Sequence, residues 1–79
     1  MKRVKKILSK ILEINENEIT DESSPDNIET WDSFNGLMIA SELENEFNVK
    51  FTMEEVTSVK SVKDIRLTLE KHGIKINHD

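Results

Sequence analysis

Residues 30–47 read TWDSFNGLMIASELENEF, and this stretch decides the fold. Asp32 or Ser33 can serve as N-cap, accepting backbone N–H bonds of a first helical turn. Asn48 is a suitable stop, so the pattern predicts a helix over 33–47. At about 100° per residue, Gly36, Ile39, Ala40, Leu43 and Phe47 gather on one face. Phe34, Leu37 and Met38 gather on a nearly opposite face, with Ser41 and Asn45 among them. The first set carries more bulk over more turns and is the better core face. The second lies over the early turns, ringed by Glu29, Asp32, Glu42 and Glu44. Two readings of the second stripe stay open. The helix is central and the preceding loop covers it, or the stripe is an exposed docking face with a polar rim.

Working outward, Val4, Ile7, Leu8, Ile11 and Leu12 follow the i, i+3, i+4 pattern of an amphipathic helix, expected over 2–14. Its basic residues sit at the wrong end for the helix dipole. Residues 15–31 lack periodicity and hold the only proline, Pro25. They read as a long loop, pinned by Ile19, Ile28 and Trp31. Loops beyond ~12–15 residues are uncommon in compact domains and often functional. Downstream, Thr52-Met53-Glu54-Glu55 forms a capping box opening a short helix over 53–58. That helix is expected to contribute Met53 and Val56 to the core. Ser61-Val62-Lys63-Asp64 forms a second capping box, closed by Asp64, opening a last helix over 62–72, with Val62, Ile65 and Leu69 on one face and Gly73 as its stop. The tail IKINHD is expected to fray. Strand signals are negligible. The fold class is therefore all-α: a small four-helix bundle of three longer helices and a short third one, with a long loop between helices 1 and 2.

The chain of 79 residues is one domain, 1–79, with room for a small core and none for a deep enclosed active site. Without cysteine it has no disulfides, thiolate zinc sites or thiol nucleophiles. Net charge is −5, but residues 1–10 carry five basic groups (Lys2, Arg3, Lys5, Lys6, Lys10) and no acid. The remainder has six basic against 16 acidic groups, a net −10. Such a body repels nucleic acid and anionic membrane and attracts basic protein surfaces. Ser9, Lys10 and Glu13 break the apolar residues after the basic start, so no signal-peptide core forms. No stretch approaches the ~20 apolar residues of a membrane span. The chain reads as cytoplasmic and monomeric.

Thr30-Trp31-Asp32-Ser33-Phe34, followed after Asn35 by GLMIASELENEF, resembles the acyl carrier and peptidyl carrier superfamily. That family carries Asp-Ser-Leu at the start of helix 2, then a Glu-rich stretch ending in Phe. The likeness extends to the amphipathic first helix, the long loop, the short third helix and the final helix. It implies that Ser33 is esterified by 4′-phosphopantetheine from coenzyme A, with Asp32 supporting a magnesium-dependent attachment. It implies cargo held as a thioester on the arm, acyl or aminoacyl. The partners implied are a holo-acyl-carrier synthase or phosphopantetheinyl transferase, and loading and transfer enzymes with basic docking surfaces. Phe34, Leu37, Met38, Ser41, Glu42 and Glu44 are then docking residues, and the protein has no catalysis of its own. Fatty-acid and other lipid pathways, polyketide and nonribosomal peptide biosynthesis all use such carriers. The sequence departs from the family in three places. Phe34 replaces the usual Leu or Met, and Thr30-Trp31 replaces Gly-Ala or Gly-Gly. Gly36 sits inside the helix, where glycine costs ~1 kcal/mol relative to alanine.

An anion on Ser33 would meet free N–H groups and the positive dipole end of a helix. The alternative function is an unmodified helical protein–protein interaction module using the same face, Ser33 only capping. A DNA-binding domain built on the basic first helix is disfavoured by the −10 body. The acids from Asp21 to Asp32 do not form a calcium loop, because Pro25 and Asp26 stand where an EF-hand needs a ligand and a glycine. No metal site is expected. His72 is explained by capping. Thirteen acids between Glu13 and Glu55 face a single base, Lys50. Added salt or millimolar-scale divalent ions should therefore raise the melting temperature in thermal melts, by ~4–8 °C for each kcal/mol of repulsion screened.

Overall fold

The computed structural model describes residues 1–76. Four helices appear and, among these residues, no strand: α1 (Lys2–Leu12), α2 (Ser33–Phe47), α3 (Met53–Ser58) and α4 (Val62–Lys71), with a 3-10 turn at Glu16–Glu18. The bounds of α2 and α3 match the sequence pattern. α1 ends two residues earlier than expected, because Glu13 turns left-handed (φ 57°) and donates its N–H to the Ser9 carbonyl. Asn48 ends α2 in the same way, at φ 54° with its N–H on Glu44 O. α4 ends at Lys71, with His72 as its cap. Gly73 follows at φ 87°, its N–H bonded to Glu70 O, while Ile74 N–H reaches back to Leu69 O. That pair of bonds is a Schellman closure, and the left-handed residue it requires is cheapest as glycine.

Each long helix buries one stripe. Val4, Leu8 and Leu12 of α1 meet Ile39, Leu43 and Phe47 of α2 and Val62, Ile65 and Leu69 of α4 in one core. α1 and α2 run antiparallel. Arg3 at the start of α1 bonds Glu46 near the end of α2 at 3.4 Å, its guanidinium 4.4 Å above the Phe47 ring. At the other end, Thr30 Oγ1 donates to Leu12 O at 2.7 Å.

The long loop is ordered by its own polar groups. Ile19 and Trp31 are buried and Ile28 half-buried, as the pinning residues should be. Ser23 and Ser24 are buried as well. Ser23 Oγ accepts the Thr20 N–H, Ser24 Oγ accepts the Asp26 N–H, and Asn27 Oδ1 accepts the Ser24 N–H. The loop then caps α4. Ser23 O accepts the Val62 N–H at 2.9 Å and Asp21 O accepts the Lys63 N–H at 3.1 Å. First-turn N–H groups without helical partners are thus satisfied. Arg66 of α4 pairs with Asp21 at 3.2 Å.

Three expectations are corrected. Met53 is 73% exposed and Val56 only half-buried, because the short α3 buries no residue in the core. The tail does not fray at its start: Ile74 packs on the core and Ile76 is fully buried, with the Met1 ammonium donating to Ile76 O at 3.0 Å. Residues 77–79 of that tail lie outside the described residues. Finally, only half of the Ser61 box forms: Ser61 Oγ accepts the Asp64 N–H at 3.4 Å, while the Asp64 carboxylate accepts the Lys60 N–H at 2.9 Å instead of that of Ser61. The two faces of α2 should separate in thermal melts. Leu43→Ala, at 2% exposure, should cost the ~2–5 kcal/mol of a buried leucine, and Leu37→Ala, at 57%, far less.

Candidate functional site

The start of α2 is held by three polar bonds and one buried ring. Asp32 is the N-cap, its Oδ1 accepting the Asn35 N–H at 2.8 Å. Asp32 O accepts the Gly36 N–H at 2.8 Å, the first helical bond. Asn35 Nδ2 donates back to Thr30 O at 2.7 Å. Trp31 is buried in the core and its N–H bonds Ile28 O. Ser33, the first helical residue, is exposed, and among the described residues nothing hydrogen-bonds its hydroxyl. A rigid junction therefore presents a free hydroxyl at a helix N-terminus. Anionic groups are favoured at such a position by the unpaired N–H groups and the dipole. Asn35 escaped the sequence reading. Its signal was its place at the third position after an Asp cap, where a side chain can reach back.

Phe34, Leu37 and Met38 are 69%, 57% and 41% exposed, so the loop does not cover the second stripe. Ser41 and Glu42 beside them are exposed. Glu44 differs from its acidic neighbours. It is half-buried, and its Oε2 accepts the Phe51 N–H at 2.8 Å, strapping the connector after α2 back onto the helix.

Beneath Ser33 lies a feature the size argument did not anticipate, a cleft of about 550 Å³ between α2, α3, α4 and the loop. Ser33, Gly36 and Trp31 stand along it, and Ile39, Leu43, Val56 and Ile65 make it apolar. It is an open groove rather than an enclosed pocket, and no residue of α1 lines it.

One wall of the cleft, α3, has no buried residue and is fastened by a carboxylate. Glu55 accepts the Thr52 N–H at 2.9 Å in a full capping box. Its two oxygens each lie 3.0 Å from His72 Nε2 at the end of α4, and Lys71 Nζ is 3.6 Å away. Phe51 meets the His72 ring edge-on at 5.5 Å. These contacts lower the Glu55 pKa from 4.5 to about 2. The Thr52 N–H is the largest cause and the His72 hydrogen bond the next; partial burial opposes them, and the charges of His72 and Lys71 add to the lowering.

The geometry defines a class: a small helical protein whose exposed serine opens its second helix beside an apolar cleft. Comparison with family models gives the family. The model described as the phosphopantetheine attachment site matches residues 2–69, and the chain belongs to that family. It is a phosphopantetheine carrier, its cofactor the covalently attached 4′-phosphopantetheine. A comparison with curated proteins finds no match. Among the described residues no helix is long and apolar enough to cross a membrane.

Because the folded pKa of Glu55 is depressed, its contribution to stability is present above ~4.5 and lost as pH falls toward 2. The stability difference between wild type and Glu55→Gln, measured by denaturant melts, should shrink as pH falls from about 4.5 toward 2.

Proposed function

We propose that residues 1–79 form one acyl carrier domain, that Ser33 is the residue bearing the arm, and that the domain has no catalysis of its own. The observation carrying this reading is the exposed, unbonded Ser33 hydroxyl on the first turn of α2, at the edge of an apolar cleft. In the attachment step Ser33 Oγ forms a bond to the phosphorus bearing the pantetheine and loses its proton. The bond from that phosphorus to the rest of coenzyme A breaks, and adenosine 3′,5′-bisphosphate leaves. Ser33 is fit for the step because its hydroxyl is reachable from solvent and sits at the positive end of the α2 dipole, which favours an anion. Asp32 fixes that turn through Asn35 and adds a negative charge that suits the magnesium ion of the transferase reaction. When bound, the arm supplies a thiol that holds cargo as a thioester.

Acyl cargo is favoured because aliphatic side chains, among them Ile39, Leu43, Val56 and Ile65, line the cleft beside Ser33. Phe34, Leu37 and Met38 form the docking surface, with Ser41 and Glu42 at its edge. Their acidic surroundings match basic surfaces on the transferase and on acyl-loading and transfer enzymes, which speeds encounter. The work is that of a cytoplasmic, monomeric carrier.

Incubation with coenzyme A, magnesium and a broad-specificity phosphopantetheinyl transferase should add one phosphopantetheine to the wild type by intact mass, and none to Ser33→Ala. Addition to the variant at Ser23, Ser24 or Ser41 would remove Ser33 from its role. A wild type that stays unmodified would favour the unmodified interaction module, which shares the exposed stripe.

A further inference from the structure

Charge in this molecule is sorted by element. Residues 13–59, which make up the long loop, α2, the connector and α3, carry thirteen acids against the single base Lys50. α1 and residues 60–76 carry ten bases against two acids, a net +8. The expectation that the body repels an anionic membrane therefore holds for its middle elements alone. Both acids of residues 60–76 are engaged: Asp64 accepts the Lys60 N–H, and Glu70 lies 3.7 Å from Arg66. The two arginines also serve internal pairs, Arg3 with Glu46 and the Phe47 ring, Arg66 with Asp21 and Glu70. What remains turned outward is lysine. Lys2, Lys6 and Lys10 stand at i, i+4 and i+8 on the exposed side of α1, opposite Val4, Leu8 and Leu12, in a stripe that stops at the cap Glu13. The fold adds Lys75. Met1 N donates to Ile76 O at 3.0 Å, which sets the backbones of Lys2 and Lys75 beside each other. Among the described residues, no carboxylate lies within ion-pair distance of these four lysines.

We propose that this lysine face seats the protein on an anionic lipid surface. Interfaces with proteins draw on aromatic residues, methionine and arginine and are poor in lysine, and this face offers lysine. A lysine is a point charge on a mobile stem, suited to a diffuse field of headgroups rather than to one fixed carboxylate. Clusters of about four or more such residues are what anionic bilayers attract. The acids do not cancel the attraction. Charges are screened over about 8 Å at physiological salt. The molecule is 19 Å across in its thinnest direction, so acids on the side away from the lipid lie beyond two screening lengths. The carrier also stays open for work. α1 and α2 face each other across the core, so the lysine stripe outside α1 and the Phe34–Leu37–Met38 stripe outside α2 point away from each other. An enzyme can dock on one while lipid holds the other.

Flotation with vesicles tests this, using phosphatidylcholine alone or mixed equally with phosphatidylglycerol. The wild type should float with the anionic vesicles at physiological salt and not with phosphatidylcholine alone. It should come off at about 1 M salt, where the screening length falls to ~3 Å. Lys2→Gln/Lys6→Gln should bind at least tenfold more weakly, at roughly fivefold per lysine. Lys50→Gln/Lys60→Gln loses the same charge away from the stripe and should bind within about twofold of the wild type. All four lysines are exposed, so both doubles should keep their helical circular dichroism. The single variants Lys6→Gln and Lys60→Gln decide the matter where a double does not. Equal weakening by both doubles assigns the effect to net charge and overturns the proposal, as does equal flotation on phosphatidylcholine. A wild type that does not float overturns it too, and salt-sensitive binding to poly-L-glutamate or duplex DNA then hands the face to a protein or a nucleic acid. Attachment at Ser33 stands or falls separately from all of these outcomes.

Discussion

A helix can give only part of its circumference to a core this small, and that limit governs the rest of the molecule. Twelve described residues form the core, with α1, α2 and α4 giving three each. Ile39, Leu43 and Phe47 take the inner face of α2, and no layer remains to cover Phe34, Leu37 and Met38 on the outer one. The loop could have done so in principle. Its apolar residues are spent elsewhere: Ile19 and Trp31 enter the core, and its carbonyls cap α4. An apolar stripe left bare by such a small fold costs hydration free energy, and a docking partner that covers it recovers that cost.

The start of α2 follows from the same packing. Trp31 inserts into the core immediately before the helix, which fixes where the helix begins. Asp32 and Asn35 then stitch the turn, leaving Ser33 as the first residue with a free side chain. The cleft exists because α3 is short and is held at a distance by polar contacts rather than drawn into the core. Glu55 caps α3 and grips the end of α4 at once, so one carboxylate sets the position of that wall.

The helices were legible in the sequence because apolar periodicity and caps act locally. TWDSF with its following stripe announced α2, and Thr52 with Glu55 announced α3. What escaped was decided by contacts distant in the chain. Glu13 takes a left-handed turn that its residue type does not advertise. Ser23 and Ser24 are buried because nearby backbone groups satisfy them, which composition cannot reveal. Ile76 has no periodic partner in the tail and is buried only where the terminal segment meets Met1. Glu44 reads as one more rim acid until the Phe51 N–H is seen to bond it. The candidate serine could be named through family likeness, while the cleft beside it arises from the packing of three helices and a loop and has no linear signature.

The two-sidedness of α2 separates what selection can alter. Ile39, Leu43 and Phe47 are interlocked with residues of other helices, so a change at one of them requires compensation elsewhere. Phe34, Leu37 and Met38 answer to no interior neighbour to that degree. A lineage can therefore rewrite the outer alphabet of this helix, residue by residue, while the inner one stays fixed.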